Sequence, residues 1–212
     1  HASRVPRLVG GRKRLRAGQL RPPAAMASDE LFDAHAHFAL AVARTPPRAW
    51  GEAAAAEARA ARASSSAGVG LVGTSPGDWD ALEALWRSGE QHTRLSFGLH
   101  PWWAHRYEDA DGWLTTLEQK LEKHPSAGVG ECGLDRKWVT PDTGEVEFEA
   151  QKRVFAAQLQ LATKLQRPIT LHCVKAYGEY TQIFAKATEL PPRIYLHSYG
   201  GSSDWALALL KN

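Results

Sequence analysis

Short apolar segments alternate along the chain with longer segments that place apolar residues at helical spacing. The short segments lie at 31–35, 69–74, 95–99, 127–131, 168–172 and 193–197. The longer segments lie at 52–67, 78–89, 112–124, 148–166, near 176–189 and at 203–210. Short apolar runs are typical of buried strands, and the longer pattern is typical of amphipathic helices. Strands that alternate with helices predict βαβ units, and therefore an α/β fold around a parallel sheet.

The longest of the predicted helices, 148–166, shows the helical pattern most clearly. Its apolar residues Phe148, Phe155, Leu159 and Ala162 follow one another at intervals of seven, four and three residues. Residues at this spacing lie on one face of a helix. We therefore expect this face to pack against the sheet.

Residues that can bind a metal ion stand where the predicted strands end. The first strand runs into Asp33-Ala34-His35-Ala36-His37, and later strands stop at His100, Glu131, His172 and His197. The carboxyl ends of parallel strands lie at the same edge of a sheet, where barrel enzymes carry their catalytic groups. We therefore expect these side chains to meet in one site.

The chemistry of these residues points to a divalent metal centre. His35 and His37 are two residues apart, and so share one face of an extended strand. Imidazole and carboxylate groups suit divalent ions, and two such ions could activate water to attack a phosphoryl group. A buried carboxylate such as Glu131 is costly unless it is paired or bound to a metal. Taken alone, the two histidines also fit a surface pair, and His172 also fits a hydrogen-bonded core histidine.

Five segments of the chain together resemble one protein family. They are FDAHAHF (32–38), GLHPWW (98–103), GVGECGLDRKW (128–138), the segment 151–173 that ends in PITLHC, and LHSYGGS (196–202). In this order they are similar to the TatD family of metal-dependent deoxyribonucleases, which belongs to the amidohydrolase-like barrels. The resemblance implies an α/β fold of the TIM-type (β/α)8 barrel, truncated in this chain after about the sixth β/α unit.

The resemblance also implies a set of site residues. It implies two divalent ions (Mg²⁺, Mn²⁺ or Zn²⁺) as cofactors, with Glu131 as the catalytic residue that bridges them. It implies hydrolysis of phosphodiester bonds in a nucleic acid substrate, with DNA expected. We add His100 and Lys175 as candidate substrate contacts. The water-activating aspartate of the family has no counterpart in this chain. The implied metal ligands are His35, His37, Glu131, His172 and His197.

At several positions the chain departs from the family pattern. Cys173-Val174-Lys175 stands where the family has Ser-Arg-Asp, and Arg136 replaces an aromatic residue. A metal-dependent amidohydrolase or deaminase that cleaves C–N bonds is therefore a second hypothesis. Many such enzymes bridge their metals with a modified lysine, or use one zinc ion without a bridging carboxylate, so the presence of Glu131 at this strand favours the nuclease. A third hypothesis is a catalytically inactive, truncated barrel.

Residues 1–27 look separate from the barrel, which we assign to residues 28–212. Seven of the 26 basic residues and none of the 23 acidic residues lie in 1–25, so the net charge of +3 does not itself indicate nucleic-acid binding. We predict that this basic segment is disordered and is either a transit peptide or translated upstream sequence. The expected location is the cytoplasm, or a mitochondrion or plastid if the transit peptide is genuine.

The remaining features of the sequence set broad limits. No apolar run reaches the length of about 18 residues that a membrane span needs, so we expect no membrane partner. Cys132 and Cys173 are too few for a disulfide framework, and we expect both to be buried packing residues. The sequence does not indicate an oligomeric state.

The end of the chain carries a further expectation. Barrels of this class have eight strands and about 250 residues. Because the chain ends at Asn212, we expect strands seven and eight to be missing and the barrel to be C-terminally incomplete. Two sheet edges would then be exposed, so we expect the polypeptide as written to be poorly soluble and inactive.

Overall fold

The computed structural model of the chain describes residues 32–37, 68–87, 93–108 and 112–211. These residues belong to one folding unit, Leu31–Asn212. The basic segment 1–27 and the helix predicted at 52–67 lie outside the described residues. Within the described ranges, no helix is long and apolar enough to cross a membrane.

Within these residues, six strands form one parallel sheet whose strand order follows the sequence. They are β1 (Phe32–Ala36), β2 (Gly68–Val72), β3 (Thr93–Phe97), β4 (Gly128–Asp135), β5 (Ile169–Val174) and β6 (Ile194–Leu196). The α-helices are α1 (Pro76–Arg87), α2 (Ala104–Tyr107), α3 (Trp113–Lys123), α4 (Phe148–Lys164), α5 (Tyr177–Lys186) and α6 (Ser203–Leu209). The predicted α/β class and parallel sheet are confirmed.

The sheet is curled, so that strands far apart in the order meet at their carboxyl ends. Neighbouring strands are about 4.8 Å apart, which would separate β1 from β6 by roughly 24 Å in a flat sheet. The imidazole rings of His35 in β1 and His197 just after β6 are nevertheless stacked, with centroids 3.7 Å apart. The six strands therefore form a curled half-barrel.

The structure corrects the predicted end of β4. The strand does not stop at Glu131 but continues to Asp135, so that Glu131 lies inside it. Glycines often follow the end of a strand, so those around Glu131 predicted that β4 ends there. Gly133 instead lies within β4, at a position where no other residue fits. Its φ is 143°, and a Cβ atom there would lie 2.2 Å from the carbonyl oxygen of His172 in β5. Only glycine allows β4 and β5 to approach this closely.

The loop after β3 also differs from the prediction. β3 ends at Phe97, and His100 lies in the loop beyond it rather than at the strand end. A 3₁₀ turn, Pro101–Trp103, and α2 follow, although the sequence analysis predicted no helix there. Proline is favourable in the first turn of a helix, and Nδ1 of His100 accepts a hydrogen bond from the Trp102 N–H. These turns hold His100 close to the carboxyl ends of the strands.

Helix α4 presents the apolar face that the sequence predicted. Phe155, Leu159 and Ala162 are buried in the core, whereas Phe148 is only partly buried. The guanidinium carbon of Arg136 lies 4.0 Å from the centroid of the Phe148 ring, which explains why this end of the face stays near the surface. The two cysteines are free and buried, as expected.

Two buried glutamines of α4 fix the backbone at the ends of β3 and β4. Gln158 accepts a hydrogen bond from the Leu99 N–H at 2.8 Å and donates one to the Leu99 carbonyl oxygen at 3.0 Å. Gln151 makes the same pair of bonds with the backbone of Asp135, at 2.7 and 3.1 Å. Buried backbone groups require partners, so these side chains hold the segments that carry site residues.

A buried ion network joins α1 to α3. Glu83 is buried, and its carboxylate contacts the ammonium groups of Lys120 and Lys123 and the guanidinium group of Arg87. Burial raises the pKa of Glu83, but the hydrogen bonds from the two lysines outweigh burial and lower the pKa to about 2. The carboxylate therefore stays ionised in the folded protein and stabilises the contact between the helices.

We expect Glu83→Gln to lower the free energy of unfolding by about 1–3 kcal/mol at pH 7, because the lysines lose their buried partner. A carboxyl group whose pKa is lowered on folding stabilises the folded protein at pH values above 4.5, the ordinary pKa of glutamate. This stability is lost as the pH falls from 4.5 toward about 2. The difference between the wild type and the variant should therefore shrink below pH 4.5, as measured by urea unfolding. Glu118→Gln breaks the surface pair with Lys164 and is the matched control. Equal effects of both substitutions would contradict this account.

Candidate metal centre

Glu131 lies among four histidines that come from different strands and loops. Its Oε2 atom lies 3.0 Å from His35 Nε2 and 2.8 Å from His37 Nε2. Its Oε1 atom lies 2.8 Å from His172 Nδ1 and 3.6 Å from His100 Nε2. Each oxygen of the one carboxylate therefore faces a different pair of imidazole rings.

A cleft of about 170 Å³ at the carboxyl ends of the strands is lined by Glu131 and three of these histidines. His35 instead lines a separate cavity. Glu131 is 2% exposed, so its carboxylate is shielded from bulk solvent. The lining residues are His37, Thr74, His100, Trp102, Trp103, Glu131, His172 and His197.

Two groups of side chains could each hold a metal ion. The potential ligand atoms of His35, His37 and Glu131 lie within 4.8 Å of one another. The same is true of His100, Glu131 and His172, so that Glu131 belongs to both groups. Imidazole nitrogens with one carboxylate oxygen are a donor set that divalent ions such as zinc accept. The residues present therefore fit a divalent metal centre.

Each imidazole ring has an inner nitrogen that faces Glu131 and an outer nitrogen that faces away from it. At His37 and His100, the hydrogen bond of the outer nitrogen decides whether the inner nitrogen carries a proton. His37 Nδ1 donates to the carbonyl oxygen of Val72, 3.2 Å away, so in a neutral ring Nε2 keeps the lone pair that a metal ion beside Glu131 would need. His100 Nδ1 instead accepts from the Trp102 N–H, so a neutral ring carries its proton on Nε2. Burial lowers the pKa of His100 and so favours the neutral ring. His37 therefore suits a ligand, and His100 suits a hydrogen-bond donor.

The electrostatic balance of the cleft depends on its two buried carboxylates. Burial raises the pKa of Glu131, but hydrogen bonds from the surrounding histidines hold it well below its usual range. Burial lowers the pKa of His172, but hydrogen bonds to Asp135 and Glu131 raise it to about 9. Burial raises the pKa of Asp135, and hydrogen bonds from His172 and Trp102 bring it down to about 2. A metal ion that binds His172 must therefore displace a proton at neutral pH.

His197 lies beside the two groups of potential ligands and is a member of neither. Its ring stacks on that of His35, and its Nε2 atom lies 2.9 Å from the hydroxyl oxygen of Ser198. It does line the same cleft as Glu131. Its role as a ligand, predicted from the family resemblance, stays a prediction.

Lys175 does not line this cleft. It lies directly after β5 with a left-handed backbone (φ 55°), and its exposed side chain lines a separate surface recess. Arg136 and Lys137 line the same recess, which is therefore basic. A contact between Lys175 and substrate would thus be made outside the cleft, with a flanking part of the substrate.

Asp135 contacts His172, which the sequence analysis did not predict. Its Oδ1 atom anchors the loop after β4, since it accepts hydrogen bonds from the backbone N–H groups of Lys137 (2.8 Å) and Trp138 (3.0 Å). In addition, Oδ2 lies 3.1 Å from His172 Nε2. A predicted strand that ran on to residue 135 would have pointed to this contact, because residues an even number apart on a strand share one face.

Known proteins resemble this chain along most of the described fold. The family model described as TatD related DNase matches residues 32–212. Cut9-interacting protein scn1 of Schizosaccharomyces pombe is 25% identical over 63% of this chain and 64% of its own length. The 3'-5' ssDNA/RNA exonuclease TatD of Enterobacter lignolyticus is 31% identical over 65% of this chain and 50% of its own length.

A solved structure of a TatD homologue also has a fold similar to that of this chain. The crystal structure of YjjV, a TatD homologue from Escherichia coli K12, superposes with a TM-score of 0.66 at 26% sequence identity. The match covers 85% of this chain and 64% of YjjV. The chain thus spans between 50% and 64% of the length of these three relatives. Because the family model matches nearly all of the described residues, the chain belongs to the TatD-related DNase family.

Proposed function

We propose that this protein is a divalent-metal-dependent hydrolase that cleaves phosphodiester bonds of nucleic acid, and of DNA in particular. The observation that carries the proposal is the arrangement at Glu131, where each carboxylate oxygen faces a different pair of histidines. A carboxylate with ligands on both sides is suited to bridge two ions. Enzymes that hydrolyse phosphodiesters commonly use such a pair of ions.

The proposed ligands of the two ions are the residues that the family resemblance implies. His35 and His37 would hold one ion on the Oε2 side of Glu131, and His172 the other on the Oε1 side. His197 lines the same cleft and is the remaining ligand that the resemblance implies. The curled sheet supports a TIM-type (β/α)8 barrel of which these strands form about six units.

The chain's own residues would bind and orient the substrate. When bound, the two ions would supply a hydroxide near neutral pH and would polarise a phosphoryl oxygen. His100 would donate a hydrogen bond from its Nε2–H group to an anionic phosphoryl oxygen that enters the cleft. The cleft, at about 170 Å³, is smaller than most ligand pockets and suits a phosphodiester group better than a whole nucleotide. Trp102 and Trp103 line the cleft and could stack on a neighbouring base.

Two observations favour nucleic acid over a C–N bond substrate. The TatD relatives that this chain resembles are named as ssDNA/RNA exonucleases. The residue between the histidine pairs is also the carboxylate of Glu131, rather than the modified lysine that bridges the metals of many amidohydrolases. Lys175, in the basic recess, would contact a phosphate of a flanking nucleotide.

Glu131→Gln keeps the shape of the side chain but removes its charge, so we expect metal binding and cleavage to be lost together. The assay uses a chain that carries all eight strands of the barrel, and measures cleavage of a 5'-labelled single-stranded DNA oligonucleotide with Mg²⁺, Mn²⁺ or Zn²⁺, beside a panel of amides and lactones. Because a bridging ligand serves both ions, kcat/KM should fall at least about 1,000-fold, a loss of about 4 kcal/mol in transition-state stabilisation. His172→Ala should have a similar effect.

Glu189→Gln changes an exposed glutamate of the same size outside the cleft and is the matched control. It should leave cleavage unchanged. If the wild type turns over amides or lactones and no DNA or RNA, the amidohydrolase hypothesis replaces this one. Cleavage by Glu131→Gln at the wild-type rate would place the chemistry elsewhere.

Metal affinity should rise with pH up to about 9, because the ion competes with a proton for His172. Below this pKa the ring is protonated between Glu131 and Asp135, so each metal ion bound there releases a proton. Mn²⁺ titrations in buffers of different ionisation enthalpy should show this release at pH 7. An affinity that does not change between pH 6.5 and pH 8 would contradict the assignment of His172 as a ligand.

A further inference from the structure

We infer that Asp135 is a positioning residue that fixes which nitrogen of His172 faces the metal centre. The inference rests on the proposed function, because it concerns a residue that acts through a proposed ligand.

The carboxylate of Asp135 is buried, at 4% exposure, and three N–H groups of the described residues donate hydrogen bonds to it. Oδ1 accepts from the backbone N–H groups of Lys137 and Trp138. Oδ2 accepts from Trp102 Nε1 at 3.0 Å and lies 3.1 Å from His172 Nε2. Four neighbours therefore fix the orientation of the carboxylate.

An ionised carboxylate can only accept hydrogen bonds. Nε2 of His172 must therefore carry a proton when it faces Oδ2 of Asp135. In a neutral ring, this leaves the lone pair on Nδ1, the nitrogen that lies 2.8 Å from Oε1 of Glu131. Asp135 thus does for His172 what the Val72 carbonyl does for His37, and it directs a lone pair into the centre.

The contact between Asp135 and His172 is held in place because neighbouring side chains bind the backbone of both residues. The Asp135 end of β4 is fixed by two hydrogen bonds with Gln151. On the other side, the hydroxyl of Tyr180 donates to the carbonyl oxygen of His172 at 2.7 Å. The close approach of β4 and β5 at Gly133 then sets the spacing between the two side chains.

A purely structural role would explain the bonds to Lys137 and Trp138 but not the bond to His172. Asp135→Asn separates the two roles, because the amide oxygen can still cap the two backbone N–H groups. The amide NH₂ group would then face two donors, Trp102 Nε1 and His172 Nε2. To avoid this clash, His172 must move its proton to Nδ1, where the proton opposes a metal ion.

The test compares the wild type and Asp135→Asn by calorimetric titration with Mn²⁺ and by long-range ¹H–¹⁵N spectra of the Zn²⁺-loaded protein. We expect the substitution to weaken Mn²⁺ binding about 10- to 100-fold, the usual effect of losing an outer partner of a ligating histidine. In the wild-type spectrum, the His172 proton should be on Nε2. Asp142→Asn changes an exposed aspartate in the loop that follows β4, is the matched control and should bind like the wild type.

The spectrum of the wild type tests the inference even if Asp135→Asn fails to fold. A His172 proton on Nδ1 in the wild type would overturn the inference. So would an Asp135→Asn variant that binds Mn²⁺ with wild-type affinity, and in that case the proposed function would stand. A wild type that binds no divalent ion would instead refute the proposed metal centre, and the inference with it.

Discussion

The site depends on one physical constraint, which is that a buried carboxylate must be surrounded by groups that stabilise its charge. Glu131 meets this constraint with histidines on both of its oxygens. They belong to strands that a flat sheet would hold well apart, so the sheet must curl. Between β4 and β5, which carry Glu131 and His172, the strands pack so closely that only glycine fits at position 133. Fold and site therefore depend on the same few residues.

The outer hydrogen bonds give the histidines different chemical roles although the rings look alike. Where the outer partner is an acceptor, as at His37, the inner nitrogen is free to bind a metal. Where the outer partner is a donor, as at His100, the inner nitrogen carries a proton. A single cleft can thus contain both ligands and a donor for substrate. The distinction comes from the backbone and from Asp135, rather than from the identity of the residue.

The sequence predicted the parallel sheet well, because short apolar runs and helical periodicity report directly on burial. It also predicted which polar residues would lie near one another, since strand ends share one edge. It failed at β4, where glycines that permit close strand packing look the same as glycines that end a strand. It also could not predict that Lys175 lies in a recess apart from the cleft, because side-chain direction after a strand depends on the local φ.

The most direct test of a metal centre organised by Glu131 is the number of Mn²⁺ ions bound per chain. The protein would be dialysed to equilibrium against Mn²⁺ at neutral pH, and the metal would be counted by atomic emission. A carboxylate that serves histidines on both oxygens predicts about two ions per chain. A value near zero would contradict the account, because the histidines would then surround Glu131 only to stabilise its buried charge.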